Sequence, residues 1–371
     1  MSKPKIFLYV IFFQLFVVSC FQTESPRKIA AFIPPTGIKL NRDSYKTAEK
    51  LEKYFDRRFK IGVFNGAVLF AEKGMVVFKK AYGFGNFRTK DTLRTNSSFQ
   101  LASVTKPLTA VALLMLVEKG KLSLEDSLGK FIPGLPYHGI KVEQLLAHRS
   151  GLPEYMYFAD KYWEDKHKLI HNEDVIELMR KFKPLRYYKP GVRYNYSNTN
   201  YALIASIIEK VSGTTYENFM SENIFKPLGM HNTYVFNGQN KENKVVGYLT
   251  RRRRAGDTYL NGVVGDKGIY STVEDLYKWN TALDNGLLID KTLMKKAFTP
   301  YHKELRIYDN YGLGWRINAA DTTNIIVYHT GWWKGFRSYF IKQLGKQRTL
   351  IILTNISKTG VFGVRELTKL F

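Results

Sequence analysis

The stretch LASVTKPLTAVALLMLVEKG, Leu101 to Gly120, organises the reading of this chain. Leu108, Val111, Ala112, Leu113, Leu114, Met115, Leu116 and Val117 leave no polar face, and a helix apolar all round is a buried one. Gly120 is placed to end it. Upstream, Gly66 to Glu72 and Met75 to Tyr82 are apolar runs joined at Lys73-Gly74, a hairpin signal. Before them, Leu51, Tyr54, Phe55 and Phe59 fall at helical spacing and predict an amphipathic first helix over Tyr45 to Phe59. Residues 83–99 read as loop. Downstream, Pro190-Gly191 marks a turn before a second apolar helix, Tyr201 to Val211. The C-terminal part returns to strands: Tyr311 to Ile317, Ile325 to His329, Arg337 to Gln343 and Leu350 to Asn355. Residues 361–371 read as a closing helix. Strands at both ends with helices between predict an α/β (α+β) fold, with one antiparallel sheet built from both termini. The sheet lobe spans about residues 45–95 and 300–371, and a mostly helical lobe about 96–299.

The chain has 371 residues with 44% hydrophobic and 15% aromatic content, enough for a large core and too much for a disordered chain. Its 57 basic and 32 acidic residues give a formal net charge of +25. Such a charge suits a nucleic-acid reader or an exported protein facing anionic lipid or wall polymer. The N-terminus favours export. Lys3 and Lys5 precede an apolar run from Ile6 to Val18, and its 13 residues fall short of the about 20 that a spanning helix needs. It fits the core of a signal peptide over residues 1–19. The run ends in Val17-Val18-Ser19-Cys20, which resembles a bacterial lipobox, whose cysteine is lipidated and becomes the new N-terminus. Cys20 is the one cysteine in the chain, so no internal disulfide forms. The alternative is an ordinary cleaved signal with Cys20 incidental. Residues 20–44, with Pro26, Pro34 and Pro35 among polar residues, read as a lipidated start and tether. The expected location is the bacterial cell envelope, with the protein lipid-anchored to a membrane outside the cytoplasm. The Arg251 to Arg254 run reads as a solvated loop rather than a nucleic-acid patch.

Chemistry is narrowed first by what is missing. There is no Gly-x-Ser-x-Gly elbow, no His-Glu-x-x-His, no Walker loop and no Gly-x-Gly-x-x-Gly after a strand. The seven histidines show no pair at ligand spacing on a helix, so no metal is expected. What remains is Ser103 and Lys106. Three apart on a helix, they share a face, and the lysine nitrogen lies beside the hydroxyl. The helix N-terminus favours negative charge there. A lysine in apolar surroundings has its charged form disfavoured and serves as a base near neutral pH. This is the serine–lysine form of an activated nucleophile. Alone, the pair reads better as a capping serine with a surface lysine.

Two further elements change that balance. Tyr196-Ser197-Asn198 follows Pro190-Gly191, and His329-Thr330-Gly331 ends a strand near the C-terminus. Together with Ser103-Val104-Thr105-Lys106 they resemble the three-motif signature of the serine β-lactamase and penicillin-binding-protein-like family, of the class C β-lactamase and D-alanyl-D-alanine carboxypeptidase type. The flanks LASVTK, LLAHRSGLP ending at Pro153, and Gly268 to Thr272 leading into Asp275-Leu276 match as well, so the resemblance covers about residues 45–371. It implies that Ser103 attacks a carbonyl and is acylated, and that Lys106 and Tyr196 relay its proton. Tyr196 would then activate the deacylating water. Asn198 would bind the substrate amide and hold Lys106. His329 would line the strand edge where substrate lies, and Thr330 would bind its polar tail. The backbone N–H groups of Ser103 and Trp332, beside Gly331, would form the oxyanion hole.

Two features depart from that pattern. The third motif begins with His329 where class C β-lactamases have lysine, and a histidine of ordinary pKa is mostly neutral at pH 7. The fixed charge that greets a β-lactam carboxylate is thereby weakened. Arg337 is a candidate to replace it, or else a surface arginine. Trp332, Trp333 and Phe336 suggest an aromatic-lined cleft, or else core. The expected function is a serine hydrolase acting on D-amino-acid peptides or small esters, the partners being a small-molecule or peptide substrate, peptidoglycan among them. A true β-lactamase and a non-catalytic wall-peptide-binding protein are the alternatives.

Overall fold

The Lys73-Gly74 turn closes a hairpin because both residues adopt left-handed backbone, with φ of 50° and 79°, the geometry that matches strand twist. It joins β1 (Gly66–Glu72) to β2 (Met75–Tyr82), at the boundaries expected from sequence. The computed structural model describes residues 42–238, 245–251, 253–302, 310–358 and 362–371. The signal-like segment, Cys20 and the tether up to residue 41 lie outside the described residues.

Every residue of β1 is buried, because the strand is covered on both faces. Val68 and Phe70 pack with Leu51 and Phe55 of helix α1 (Arg42–Lys60) and with the C-terminal Phe362, Leu367 and Phe371. Ala67, Leu69 and Ala71 face the larger core, with Trp279, Trp315 and Phe340. The remaining strands of the main sheet are β3 (Asn310–Tyr311), β4 (Arg316–Asn318), β5 (Ile326–Trp333), β6 (Phe336–Gln343) and β7 (Arg348–Thr354). Their order is β3-β4-β5-β6-β7-β1-β2, antiparallel throughout. The register Gly66↔Thr354 to Glu72↔Arg348 joins the two ends of the chain in one sheet.

The apolar stretch forms α2 (Thr105–Glu118), entered through a 3₁₀ turn, Ala102–Val104. All residues from Thr105 to Leu116 are buried. Gly120 ends the helix at φ 65°, its N–H donating to the Val117 carbonyl at 2.9 Å. The second apolar helix, α3 (Asn198–Ser212), packs on α2, and α4 (Val273–Asp284) packs on β1 and β7. Truncating a buried leucine such as Leu113 to alanine would destabilise this centre by about 2–5 kcal/mol.

Three expectations need correction. Tyr311 to Ile317 is not one strand but two short ones, because Gly312 and Gly314 break it. Gly314 has φ 95°, and a Cβ there would sit 2.5 Å from the Ala110 Cβ of α2. Residues 83–99 are not all loop, since Phe84–Asn86 pairs with Asp91–Thr92. The closing helix is only Val364–Thr368. In the arginine run, Arg252 lies outside the described residues, and Arg253–Arg254 form an exposed strand paired with Tyr248–Thr250. Arg251 donates to the Phe59 carbonyl at 3.1 Å. The fold is mixed α/β, with a large antiparallel sheet and helices.

Candidate active site

The site forms where α2 begins, α3 begins and β5 loses its neighbour. Pairing between β4 and β5 runs from Asn318↔Ile326 to Arg316↔Tyr328 and stops there, so His329 to Trp333 have β6 on one side only. Gly331 lets this free edge approach the nucleophile turn: a Cβ there would lie 2.3 Å from the Leu101 carbonyl and 3.0 Å from the Ala102 Cβ. Ser338 on β6 donates to the same Leu101 carbonyl. Ala102 has a left-handed φ of 48°, a strained conformation for a residue with a Cβ and of a kind that clusters at working sites. It turns the chain so that Ser103 faces the cleft.

Lys106 is fully buried at 0% exposure. Its Nζ lies 3.0 Å from Ser103 Oγ, 2.8 Å from Asn198 Oδ1 and 2.9 Å from the Asp266 carbonyl. The last two groups can only accept. A neutral amine satisfies both with its two N–H bonds and turns its lone pair to the Ser103 hydroxyl, the arrangement of a general base. Burial pulls the Lys106 pKa down to about 8, against the opposing pull of the Asp266 and Glu154 carboxylates and with help from Arg316. Tyr196 goes the other way. Burial raises its phenol above the ordinary range, while a hydrogen bond with Ser103 works against that rise. Lys106 Nζ and the Arg316 guanidinium carbon lie over its ring, 5.0 and 5.3 Å from the centroid. At neutral pH the proton therefore stays on Tyr196, and Lys106, which gives up its proton near 8, is the group that can serve as the base.

Asn198 is held from behind. Its backbone N–H and its Nδ2 donate to Glu154 Oε2 at 2.7 and 3.2 Å, which turns Oδ1 toward Lys106. Burial raises the Glu154 pKa, and Asp266 adds to the rise. Asp266 in turn pairs with the buried Lys267 at 3.4 Å and accepts from the Tyr155 hydroxyl at 3.1 Å.

The cleft in front of Ser103 has a volume of about 820 Å³, and Thr330, Gly331, Trp332 and Arg337 lie along it. Trp332 is 61% exposed on the free edge, with the Arg337 guanidinium over its ring at 5.9 Å. Arg337 Nε donates to the Ser357 carbonyl at 2.6 Å. His329 does not line the cleft, contrary to expectation. It is 0% exposed, beneath the rings of Tyr196 and Tyr311. Its Nδ1–H donates to the Thr330 carbonyl at 3.0 Å, so Nε2 is bare and accepts from the Tyr311 hydroxyl at 3.0 Å. Burial, with Arg316 and Lys106 nearby, holds it well below the ordinary histidine range and keeps it neutral.

The cation that sequence reasoning missed is Arg316, the first residue of β4. It lines the cleft, and its buried Nε has no hydrogen-bond partner among the described residues. No sequence signal distinguishes it among the 57 basic residues. Glu154 and His148 were also missed, although both lie in or beside the quoted run ending at Pro153.

Comparison with known proteins agrees with this geometry. Residues 51–370 match the family model described as beta-lactamase. The chain is 35% identical over 308 residues to penicillin-binding protein 4* of Bacillus subtilis, covering 79% of this chain and 68% of that one. The octameric penicillin-binding protein homologue of Pyrococcus abyssi superposes with a TM-score of 0.73 at 29% identity, over 84% of this chain and 74% of that one. The D-amino acid amidase of Ochrobactrum anthropi shares the fold, with a TM-score of 0.72 at 22% identity over 88% and 95%. A sheet closed by both chain ends and a Ser-x-x-Lys pair at the head of a buried helix thus place this chain in the beta-lactamase family, with the penicillin-binding-protein homologues and their serine hydrolase fold.

Proposed function

We propose that the protein is a serine acyl hydrolase of the cell envelope that cleaves D-amino-acid peptides or small esters carrying a free carboxylate, through an ester on Ser103. The observation that carries this reading is Arg316, a fixed cation that lines the cleft in front of Ser103 together with Thr330. A substrate carboxylate entering the cleft would pair with its guanidinium. Ser103 Oγ attacks the carbonyl carbon as its proton passes to neutral Lys106. The oxyanion meets the backbone N–H groups of Ser103 and Trp332, each such donor being worth about 10²–10³ in rate. Collapse breaks the bond to the leaving group, which takes a proton from Tyr196, and Lys106 refills the phenol. Water then enters, gives its proton to the Lys106–Tyr196 pair and attacks the ester, which releases the acid and returns a proton to Ser103. The same cation serves a β-lactam carboxylate, so class C-like β-lactamase activity is the second reading. Neutral His329 does not disfavour it once Arg316 supplies the charge. A non-catalytic binder has no use for a neutral amine aimed at a serine hydroxyl at 3.0 Å.

The apolar run before Cys20 supports a lipid anchor on that cysteine; Cys20→Ser would then move the full chain from the detergent to the aqueous phase. The test of function is intact-mass measurement after exposure to a fluorophosphonate, a penicillin, and a D-Ala-D-Ala peptide as free acid or C-terminal amide. Covalent gain on wild type, none on a folded Ser103→Ala, and turnover of acid over amide are expected. Labelling that persists in Ser103→Ala would overturn the nucleophile, and equal turnover of acid and amide would overturn the carboxylate reading.

A further inference from the structure

We infer that His148 is the positioning residue of Tyr196, clamping the chain on either side of the tyrosine and backing its ring. The inference rests on the reading of Tyr196 as the proton carrier and adds what holds it. His148 is 0% exposed and sits in a left-handed backbone conformation, φ 55°. Its carbonyl accepts from the Asn195 N–H at 2.8 Å, one residue before Tyr196. Its Nδ1 accepts from the Ser197 N–H at 3.2 Å, one residue after. Its ring lies against the Tyr196 ring, with centroids 4.2 Å apart and planes inclined by 34°. One residue thus fixes both flanks of the tyrosine whose hydroxyl meets Ser103, one through its carbonyl and the other through its ring nitrogen, while its ring backs one face.

The protonation of His148 follows from its neighbours. Nδ1 faces two donors, the Ser197 N–H and Asn200 Nδ2 at 3.1 Å. The Asn200 amide is fixed in that sense because its Oδ1 accepts from the Ser150 hydroxyl. Nδ1 is therefore bare and the ring proton is on Nε2, which has no hydrogen-bond partner among the described residues. The rings of Tyr201 and Tyr311, at 5.1 and 4.8 Å, enclose it. Burial and the cations Lys106 and Arg316, with His329, hold the group well below the ordinary histidine range, so Nδ1 remains an acceptor wherever the enzyme is folded. Removing that acceptor leaves two buried donors unmet, and these are relieved only by moving the Tyr196 segment. A displacement of about 1 Å at a reacting group is enough to lose about 10² in rate.

The test compares His148→Asn, His148→Phe and Tyr196→Phe by the pre-steady-state rate at which a D-Ala-D-Ala peptide, whose leaving amine needs a proton, labels Ser103 as the acyl-enzyme, separating the saturating rate from the half-saturating concentration. Asparagine offers Oδ1 near the Nδ1 position and tolerates a left-handed backbone; phenylalanine keeps the ring and removes the acceptor. The expected result is a saturating rate within about fivefold of wild type for asparagine, and a loss of about 10² for phenylalanine with half-saturation little changed. Thermal midpoints show whether a loss is only unfolding. Should the phenylalanine variant not fold, His148→Gln, whose amide oxygen reaches toward Nε2 instead, takes its place with the same expected loss. Equal losses for the asparagine and acceptor-less variants, or wild-type labelling by His148→Phe beside a slow Tyr196→Phe, would overturn the inference alone. Wild-type labelling by Tyr196→Phe would overturn the proton-carrier reading beneath it.

Discussion

Two buried lysines show how one residue type is put to two uses. Lys342, on β6, is 3% exposed and pairs with Asp284 of α4 at 2.8 and 3.0 Å, with Asn280 also accepting from it. Lys106 is equally buried, but every atom it touches within hydrogen-bond reach is an uncharged oxygen. Burial lowers both pKa values, and in Lys342 a carboxylate in direct contact opposes the fall. The lesson is that burial alone does not make a base. What matters is whether a contacting carboxylate holds the proton in place. Lys342 ties helix to sheet as an ammonium ion; Lys106, with carboxylates only at second remove, is left free to give its proton up.

The comparison breaks most sharply at Lys106→Met. Turnover is expected to fall by about 10²–10⁴, the span of general-base help, whereas Lys342→Met should leave kcat within about twofold of wild type because its methylene stem keeps its packing. Steady-state kinetics on both proteins checks this, and comparable losses would erase the distinction. Next in size is Arg316→Gln. A charge-assisted bond to a substrate carboxylate contributes about 1.5–3 kcal/mol, so kcat/KM should fall by about 10–100-fold for carboxylate-bearing substrates. Their amide-capped counterparts should be turned over by both proteins alike, and a loss common to the two substrate classes would assign Arg316 to packing.

The pH dependence sharpens the same contrast. Lys106 must be neutral to accept a proton, and its pKa is brought down to about 8. Below that value kcat/KM should rise about tenfold per pH unit and level off above it. Asn198→Ala, which removes one uncharged acceptor of the ammonium ion, should not move this limb upward. A limb near the ordinary lysine value would mean that Lys106 keeps its proton as Lys342 does. The smallest effect is on stability. Asp284→Asn deprives the Lys342 ammonium of its counter-charge, but the Asp284 side chain is 53% exposed, and solvent screening limits the loss to about 1–2 kcal/mol. Denaturant unfolding at neutral pH measures it, and no change would show Lys342 to be held by Asn280 alone.

His329 marks where linear reading failed. In the pattern it resembles, the first residue of the third motif meets substrate, and a lysine there, as in a His329→Lys substitution, would supply the charge that greets a β-lactam carboxylate. In the folded chain the imidazole lies under Tyr311 and Tyr196, with Arg316 and Lys106 close by. A third cation there would be buried among like charges, so the substitution is now expected to destabilise the site. The charge sits instead on Arg316, thirteen residues earlier, at the point where β4 stops pairing with β5.

By itself the sequence determined the hairpin at Lys73-Gly74, the buried α2, α3 and the strands that close the sheet. Each is signalled by a local period or turn chemistry acting over a few residues. It also determined Ser103 and Lys106 as neighbours, because three residues of helical backbone carry one to the other. Only the tertiary structure decided the rest. The split of Tyr311 to Ile317 comes from Gly314 meeting Ala110 across the core. The orientation of Asn198 comes from Glu154, and the seat of Tyr196 from His148, contacts 44 and 48 positions apart in the chain. The protonation of Lys106 depends on which oxygens and which charges the fold brings around it, and no spacing in the chain records that, because desolvation and Coulomb interaction depend on distance in space rather than along the backbone.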